Sequence, residues 1–207
     1  MGKILLINGS PHEQGCTYTA LMEVKKALEE CGQQTELCWI GNKPVAGCIA
    51  CGKCYEGGKC VFDDQVNDLL ARSEEFDAMV VGSPVYYAGP AGQLCAFLDR
   101  LFYASAGRWS GKVGAAVVSC RRGGSTAAFQ SMNMYFQMTN MIVITSQYWN
   151  QVHGNLPEQT LQDGEGLQTM RVLAENMTYV MRCQEAGKAA GVPLPQYEPR
   201  ITTSFHH

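Results

Sequence analysis

The chain has 207 residues, 46% of them apolar and 17% charged, and a formal net charge of −3. That length gives one domain with a sizeable core, and the composition excludes a disordered tail, a collagen-like rod and a membrane bundle. Lys and Arg are scattered rather than clustered, so nucleic acid is not an expected partner, and no apolar run reaches the roughly 18 residues of a spanning helix, so neither is a membrane.

Lys3 to Asn8 reads as a short apolar strand, followed by a loop at Gly9-Ser10-Pro11 and a helix whose Ala20, Leu21, Val24, Ala27 and Leu28 fall on one face. Thr17 is the expected N-cap of that helix and Gly32 its stop. A second strand is expected over Thr35 to Ile40, then a long Gly- and Cys-rich loop over residues 41–63, with Asp63 or Asp64 capping a short helix through Ala71. Ala78 to Gly82 reads as a strand buried on both faces. Pro90 is expected in the first turn of the next helix, whose stripe is Ala91, Leu94, Cys95, Leu98, Leu101 and Phe102. Val113 to Cys120 is a further buried strand, Ser125 to Met138 a helix and Met141 to Gln147 the fifth strand. A last helix carries Leu167, Met170, Leu173, Ala174, Met177 and Met181, and a Pro-rich extended tail starts at about residue 190. His206 and His207 are set aside as tag remnants.

Strands alternating with helices predict an α/β domain over 1–207, a doubly wound five-stranded parallel sheet with helices on both faces. Ligands of such sheets bind beyond the carboxyl ends of the strands. The first loop, Asn8 to Thr19, enters a helix N-terminus and suits a phosphate, with Ser10, Thr17 and Thr19 as hydroxyl donors and His12 as the one basic candidate. Its spacing matches neither the dinucleotide fingerprint nor the Walker loop, and a ligand-free polar turn is the alternative. Pro84, Val85, Tyr86 and Tyr87 shape a rigid aromatic loop suited to a flat ring, unless the tyrosines merely cover the sheet end. Cys120, Arg121, Arg122, Gly123 and Gly124 form the turn after the fourth strand. One arginine is placed to approach an electron-rich ring edge, and a solvated surface charge is the alternative.

Together these loops resemble the flavodoxin-like, NAD(P)H-dependent FMN reductases, and within them the iron-sulfur flavoprotein branch. The carriers are Gly9-Ser10-Pro11 with Gly15-Cys16-Thr17, Ser83-Pro84-Val85-Tyr86-Tyr87, and Arg121-Arg122-Gly123-Gly124. Where the family commonly has Asn this chain has Cys16, and His12 stands where a basic residue is common. The resemblance implies FMN, its phosphate held by Ser10 and Thr17 within a loop that includes His12, Cys16 and Thr19. It implies that residues 84 to 87 flank the isoalloxazine and that residues 120 to 124 approach it. It implies hydride donation from NAD(P)H, a small-molecule or redox-protein acceptor, and a homodimer or homotetramer. A cation near flavin N1, from Arg121 or Arg122, would favour two-electron reduction.

Cys48, Cys51, Cys54 and Cys60 give the spacing C-x2-C-x2-C-x5-C, the most specific pattern in the chain. Three close thiolates and a fourth a few residues on suit a [4Fe–4S] cluster, and the pattern is similar to the cysteine motif of iron-sulfur flavoproteins. Zinc and free thiols are the alternatives. Cys31, Cys38, Cys95 and Cys183 read as ordinary core or helix-face residues. The ten cysteines, in a chain with no export signal, are expected reduced and cytoplasmic. Hydrolysis has no G-x-S-x-G elbow to rest on, and a receiver domain lacks its acidic pocket, since Asn8 and Ser83 stand there. The remaining rival is a non-catalytic metal-thiolate or redox sensor on the same fold.

Overall fold

A computed structural model describes residues 1–199 and 201–203, so the His206-His207 expectation lies outside the described residues. In chain order the elements are β1 (Lys3–Asn8), α1 (Cys16–Glu30), β2 (Gln34–Trp39), α2 (Cys54–Gly57), α3 (Gln65–Ala71) and β3 (Ala78–Tyr86). There follow β4 (Gly89–Pro90), α4 (Gly92–Ala104), β5 (Val113–Cys120), α5 (Ser125–Met138), β6 (Ile142–Val143), β7 (Gln151–His153), α6 (Pro157–Thr160) and α7 (Gly164–Ala189).

The sheet runs β2-β1-β3-β5-β6, all parallel, with β7 also parallel on β5 and β4 antiparallel on β3. This is the flavodoxin-like order, and the chain reverses direction of winding between β1 and β3, where a crevice opens at the strand ends. Alternation along each strand feeds two cores. Leu5, Ile7, Met79, Val81, Ala116 and Val118 face α3, α4 and α5, whereas Ile4, Leu6, Val80, Ala115 and Val117 face α1 and α7.

Three expectations are corrected. Thr17 is not the N-cap of α1: Gly15 is, and Thr17 lies inside the helix, buried, with its Oγ1 hydrogen-bonded to Ser119 Oγ at 2.8 Å. A partner hydroxyl on the sheet captures Thr17, leaving the cap to the residue where the turn closes. Pro90 does not open α4 but pairs with Val85 in a hairpin, because β3 runs on past Gly82 to Tyr86 and folds back. The fifth strand is not continuous over Met141–Gln147. It pairs with Val113 and Gly114 at Ile142–Val143, breaks, and resumes against Val118–Cys120 at Gln151–His153. Across the break, buried Asn150 replaces the ladder: its Nδ2 donates to Ala116 O at 3.0 Å and its carbonyl accepts from Val118 N at 2.9 Å.

Candidate functional site

The rim at the carboxyl ends of β1, β3 and β5 is built from three loops that hold one another. In the first, Asn8 is fully buried; its Oδ1 accepts from Ser10 N and its Nδ2 donates to Glu13 O. Ser10 Oγ accepts from His12 N, Trp39 Nε1 donates to Ser10 O, and Gly9 N donates to Gly82 O. The loop is thus curled against the mouth of α1, where no side chain caps the helix. The first-turn amides are therefore unclaimed by any side chain, which leaves this helix N-terminus open to an anion. Ser10 is buried at this mouth and His12 is exposed, whereas the Thr17 and Thr19 hydroxyls are engaged with Ser119 and Gly15 O, respectively. Cys16 Sγ faces Gly154 O at 3.6 Å, which links this loop to the end of β7.

The second loop is a two-residue hairpin, Tyr86 pairing with Gly89 across Tyr87-Ala88. Both central residues are left-handed, Tyr87 at φ 50° and Ala88 at φ 61°, the conformation of a tight I′ turn normally given to Asn and Gly. Such strain persists only where the surroundings impose it. Here it throws the Tyr87 ring fully into solvent, at 109% relative exposure, while Pro84 and Val85 stay half-buried. Gly124 of the third loop is packed against this turn. At φ 84° it is left-handed, and a Cβ built on it would lie 2.9 Å from Ala88 Cα and 3.2 Å from Val85 Cγ1. Arg121, Arg122, Gly123 and Gly124 are exposed, and burial pushes the thiol of Cys120 beneath them up from its ordinary pKa. The structure therefore brings residues 84–88 and 120–124 together, with the α1 mouth on the same rim.

The cysteine loop follows β2 and lies along α4. All four of Cys48, Cys51, Cys54 and Cys60 line one shallow recess, partly open to solvent, together with Phe62, Arg100 and Tyr103. Among the described residues no three His, Cys, Asp or Glu side chains converge closely enough to hold a single metal ion. Cys48 and Cys51 are exposed on a backbone curled through Ala50 at φ 52° and Gly52 at φ 73°. Burial first, and then the neighbouring Cys48, Cys51 and Cys60, push the Cys54 thiol up.

Cys60 is held differently. Buried Asn67 of α3 receives Cys60 N on its Oδ1 at 2.8 Å and donates Nδ2 to the carbonyls of Cys60 and Phe62. Arg100 of α4, whose side chain is wholly buried, donates Nε to Cys60 Sγ at 3.2 Å and forks onto Asp64 with two bonds of 2.7 Å. Asp64 in turn caps α3 by accepting from Val66 N. Burial opposes the Arg100 charge, but the hydrogen bonds to Asp64 and Cys60 outweigh it and raise its pKa. Neither Arg100 nor Asn67 was signalled by a motif. The available signal was spacing: Arg100 lies three residues after Phe97 and four before Ala104, a charge on the buried face of α4. Outside the cysteine loop, burial lifts the Cys38 thiol to about 11, in keeping with a core role.

The sequence from residue 2 to 155 matches the family model of the NADPH-dependent FMN reductases. The chain belongs to this family of FMN-dependent oxidoreductases, in its iron-sulfur flavoprotein branch. An iron-sulfur flavoprotein of Methanocaldococcus jannaschii is 33% identical over 188 residues, spanning 87% of this chain and 97% of the relative. An iron-sulfur flavoprotein of Methanosarcina thermophila is 32% identical over 187 residues, spanning 86% of this chain and 95% of the relative. Among solved structures, RosB with bound 8-demethyl-8-formylriboflavin-5′-phosphate superposes with TM-score 0.69 at 13% identity, covering 100% of this chain and 95% of RosB. The NADH:FMN oxidoreductase EMOB gives 0.63 at 14% identity, covering 87% of this chain and 90% of EMOB. These two likenesses establish the shared fold.

Proposed function

We propose that this protein, a single FMN-binding domain over residues 1–207, accepts hydride from NAD(P)H on FMN. The electrons then pass through a [4Fe–4S] cluster to a small-molecule or redox-protein acceptor. The observation that carries the cluster is that Cys48, Cys51, Cys54 and Cys60, spaced C-x2-C-x2-C-x5-C, all line one recess. Three cysteines at close spacing and a fourth a few residues on offer the four thiolates that such a cluster takes. The names of the M. jannaschii and M. thermophila relatives point the same way.

Bound FMN supplies two-electron acceptance and one-electron release, and a bound cluster supplies a one-electron relay. The chain's part is to bind and orient. The uncapped first turn of α1 and the Ser10 hydroxyl receive the phosphate, with Cys16, Thr17 and Thr19 giving that turn its backbone and His12 standing at its entrance. Pro84, Val85, Tyr86 and Tyr87 flank the ring, and the exposed Tyr87 shields one side of it from water. Cys120 to Gly124 approach the ring edge, where Arg121 or Arg122 places positive charge and favours two-electron reduction. The four cysteines are the cluster ligands. The family resemblance supports a homodimer or homotetramer, and ten cysteines in a chain long enough for a full-sized core suit reduced thiols in the cytoplasm.

The test is anaerobic purification and reconstitution, followed by flavin, iron and acid-labile sulfide analysis per chain. One flavin with about four irons and four sulfides is expected, and Cys51→Ser should lose iron while keeping flavin. Flavin without iron after reconstitution would overturn the cluster and leave a direct NAD(P)H-driven reductase.

A further inference from the structure

Arg100 is a buried cation that the flavin site does not use. Its five N–H groups are all spent on the cysteine loop and its anchor: Nε on Cys60 Sγ, one terminal nitrogen on Asp64 and Ala46 O, the other on Asp64 and Phe62 O. Its guanidinium also lies 4.9 Å from the centre of the Phe62 ring. A guanidinium needed only to neutralise Asp64 would not have to be buried, nor aim its remaining donor at sulfur. Withdrawing a charge from water is costly and is tolerated when every donor is satisfied in a fixed geometry.

We infer that Arg100 is a positioning residue of the sulfur centre, holding Cys60 ready as the fixed ligand and raising the reduction potential of a cluster bound there through its Nε–H. Reduction adds negative charge to the cluster and its sulfurs, so a hydrogen-bond donor at one sulfur stabilises the reduced form more than the oxidised form. Cys60 is the ligand on which the device is built because Asn67 fixes its backbone from the opposite element, whereas Cys48 and Cys51 lie exposed on the outer loop.

The inference rests on the cluster reading, and its test separates the two. Wild type, Arg100→Lys and Arg100→Gln are reconstituted anaerobically. The cluster is then titrated by electron paramagnetic resonance and the flavin, in the same samples, by absorbance. Both variants should show a lowered cluster potential with the flavin potential unmoved, and iron should pass to a chelator about 10- to 100-fold more readily. Loaded variants with the wild-type cluster potential and wild-type iron release would overturn the inference. Should the variants fail to fold, wild type still decides: its reduced cluster should couple to a proton that exchanges slowly in D2O, and absence of that proton overturns the inference. Wild type that takes up neither iron nor sulfide is a separate result, which removes the cluster and the role of Arg100 with it.

Discussion

Gly124 is the position at which one methyl group should report on the whole flavin rim. In Gly124→Ala the backbone would have to keep φ 84°, a left-handed conformation that costs a non-glycine residue about 1–2 kcal/mol. The new Cβ would stand 2.9 Å from Ala88 Cα and 3.1 Å from Ala88 Cβ, and because the nearer neighbour is backbone the hairpin must shift. Overpacking of this kind costs about 1–3 kcal/mol, so the total is about 2–5 kcal/mol. If the free protein relieves part of this by moving the turn, FMN must pull the turn back. About 1.4 kcal/mol recovered in that way weakens FMN binding roughly tenfold. The assay is denaturant unfolding of the apo chain, with FMN affinity from quenching of flavin fluorescence. Adding Ala88→Gly, which removes the Cβ at 3.1 Å and relieves a residue at φ 61°, should restore part of both losses, with a coupling above about 0.5 kcal/mol. An unchanged unfolding midpoint, unchanged FMN affinity and no coupling would refute the packing of these two loops.

Thr17→Val should destabilise the fold by about 1–3 kcal/mol, because the buried Ser119 hydroxyl loses its partner, and denaturant unfolding would measure it. Asn150→Ala strands Ala116 O inside the sheet and should cost a similar 1–3 kcal/mol, roughly, with hydrogen exchange accelerating first at β7. Arg72, and then Lys3, hold the Glu75 carboxyl at about 2, and Arg72 keeps Glu36 below its ordinary 4.5. Depressed carboxylates stabilise the fold above their unfolded pKa. That contribution is therefore complete above about pH 4.5 and lost as the pH falls towards 2, and Glu75→Gln should flatten the unfolding midpoint over this window. In apo protein at pH 8, iodoacetamide should label Cys48 and Cys51 well before Cys38, whose thiol is held at about 11, as read by mass spectrometry.

The sheet was legible because its strands carry unbroken apolar runs: Ile4–Ile7 and Val113–Val118 are buried throughout, and continuous burial has a direct signature in composition. Local capping rules failed at Thr17 because a tertiary partner, Ser119, lies 102 residues away and competes for the hydroxyl. Pro90 misled for a related reason, since the residue that suits a first helical turn also suits a sheet edge, and the pairing with Val85 decides between them. The break in the fifth strand depends on Asn150 reaching Ala116 O, a contact that no periodicity encodes. Of the site, the cysteine spacing and the three rim loops were readable as local patterns. The support of Cys60 was not, because Asn67 and Arg100 come from two helices and meet the thiol only in the folded chain.

The interrupted fifth strand also governs how copies of the molecule can meet. A parallel sheet that ended in one long, straight strand would offer a row of free amides and carbonyls on which another chain could zip. Here that margin is cut into runs of two and three residues, with the exposed Tyr148-Trp149 pair projecting between them. At the break Asn150 turns its carbonyl and side-chain amide inward onto β5, so the ladder is not continued outward there. Growth of the sheet from molecule to molecule is thereby closed on this side, and association there is left to side chains, whose shape and chemistry can discriminate one partner from another.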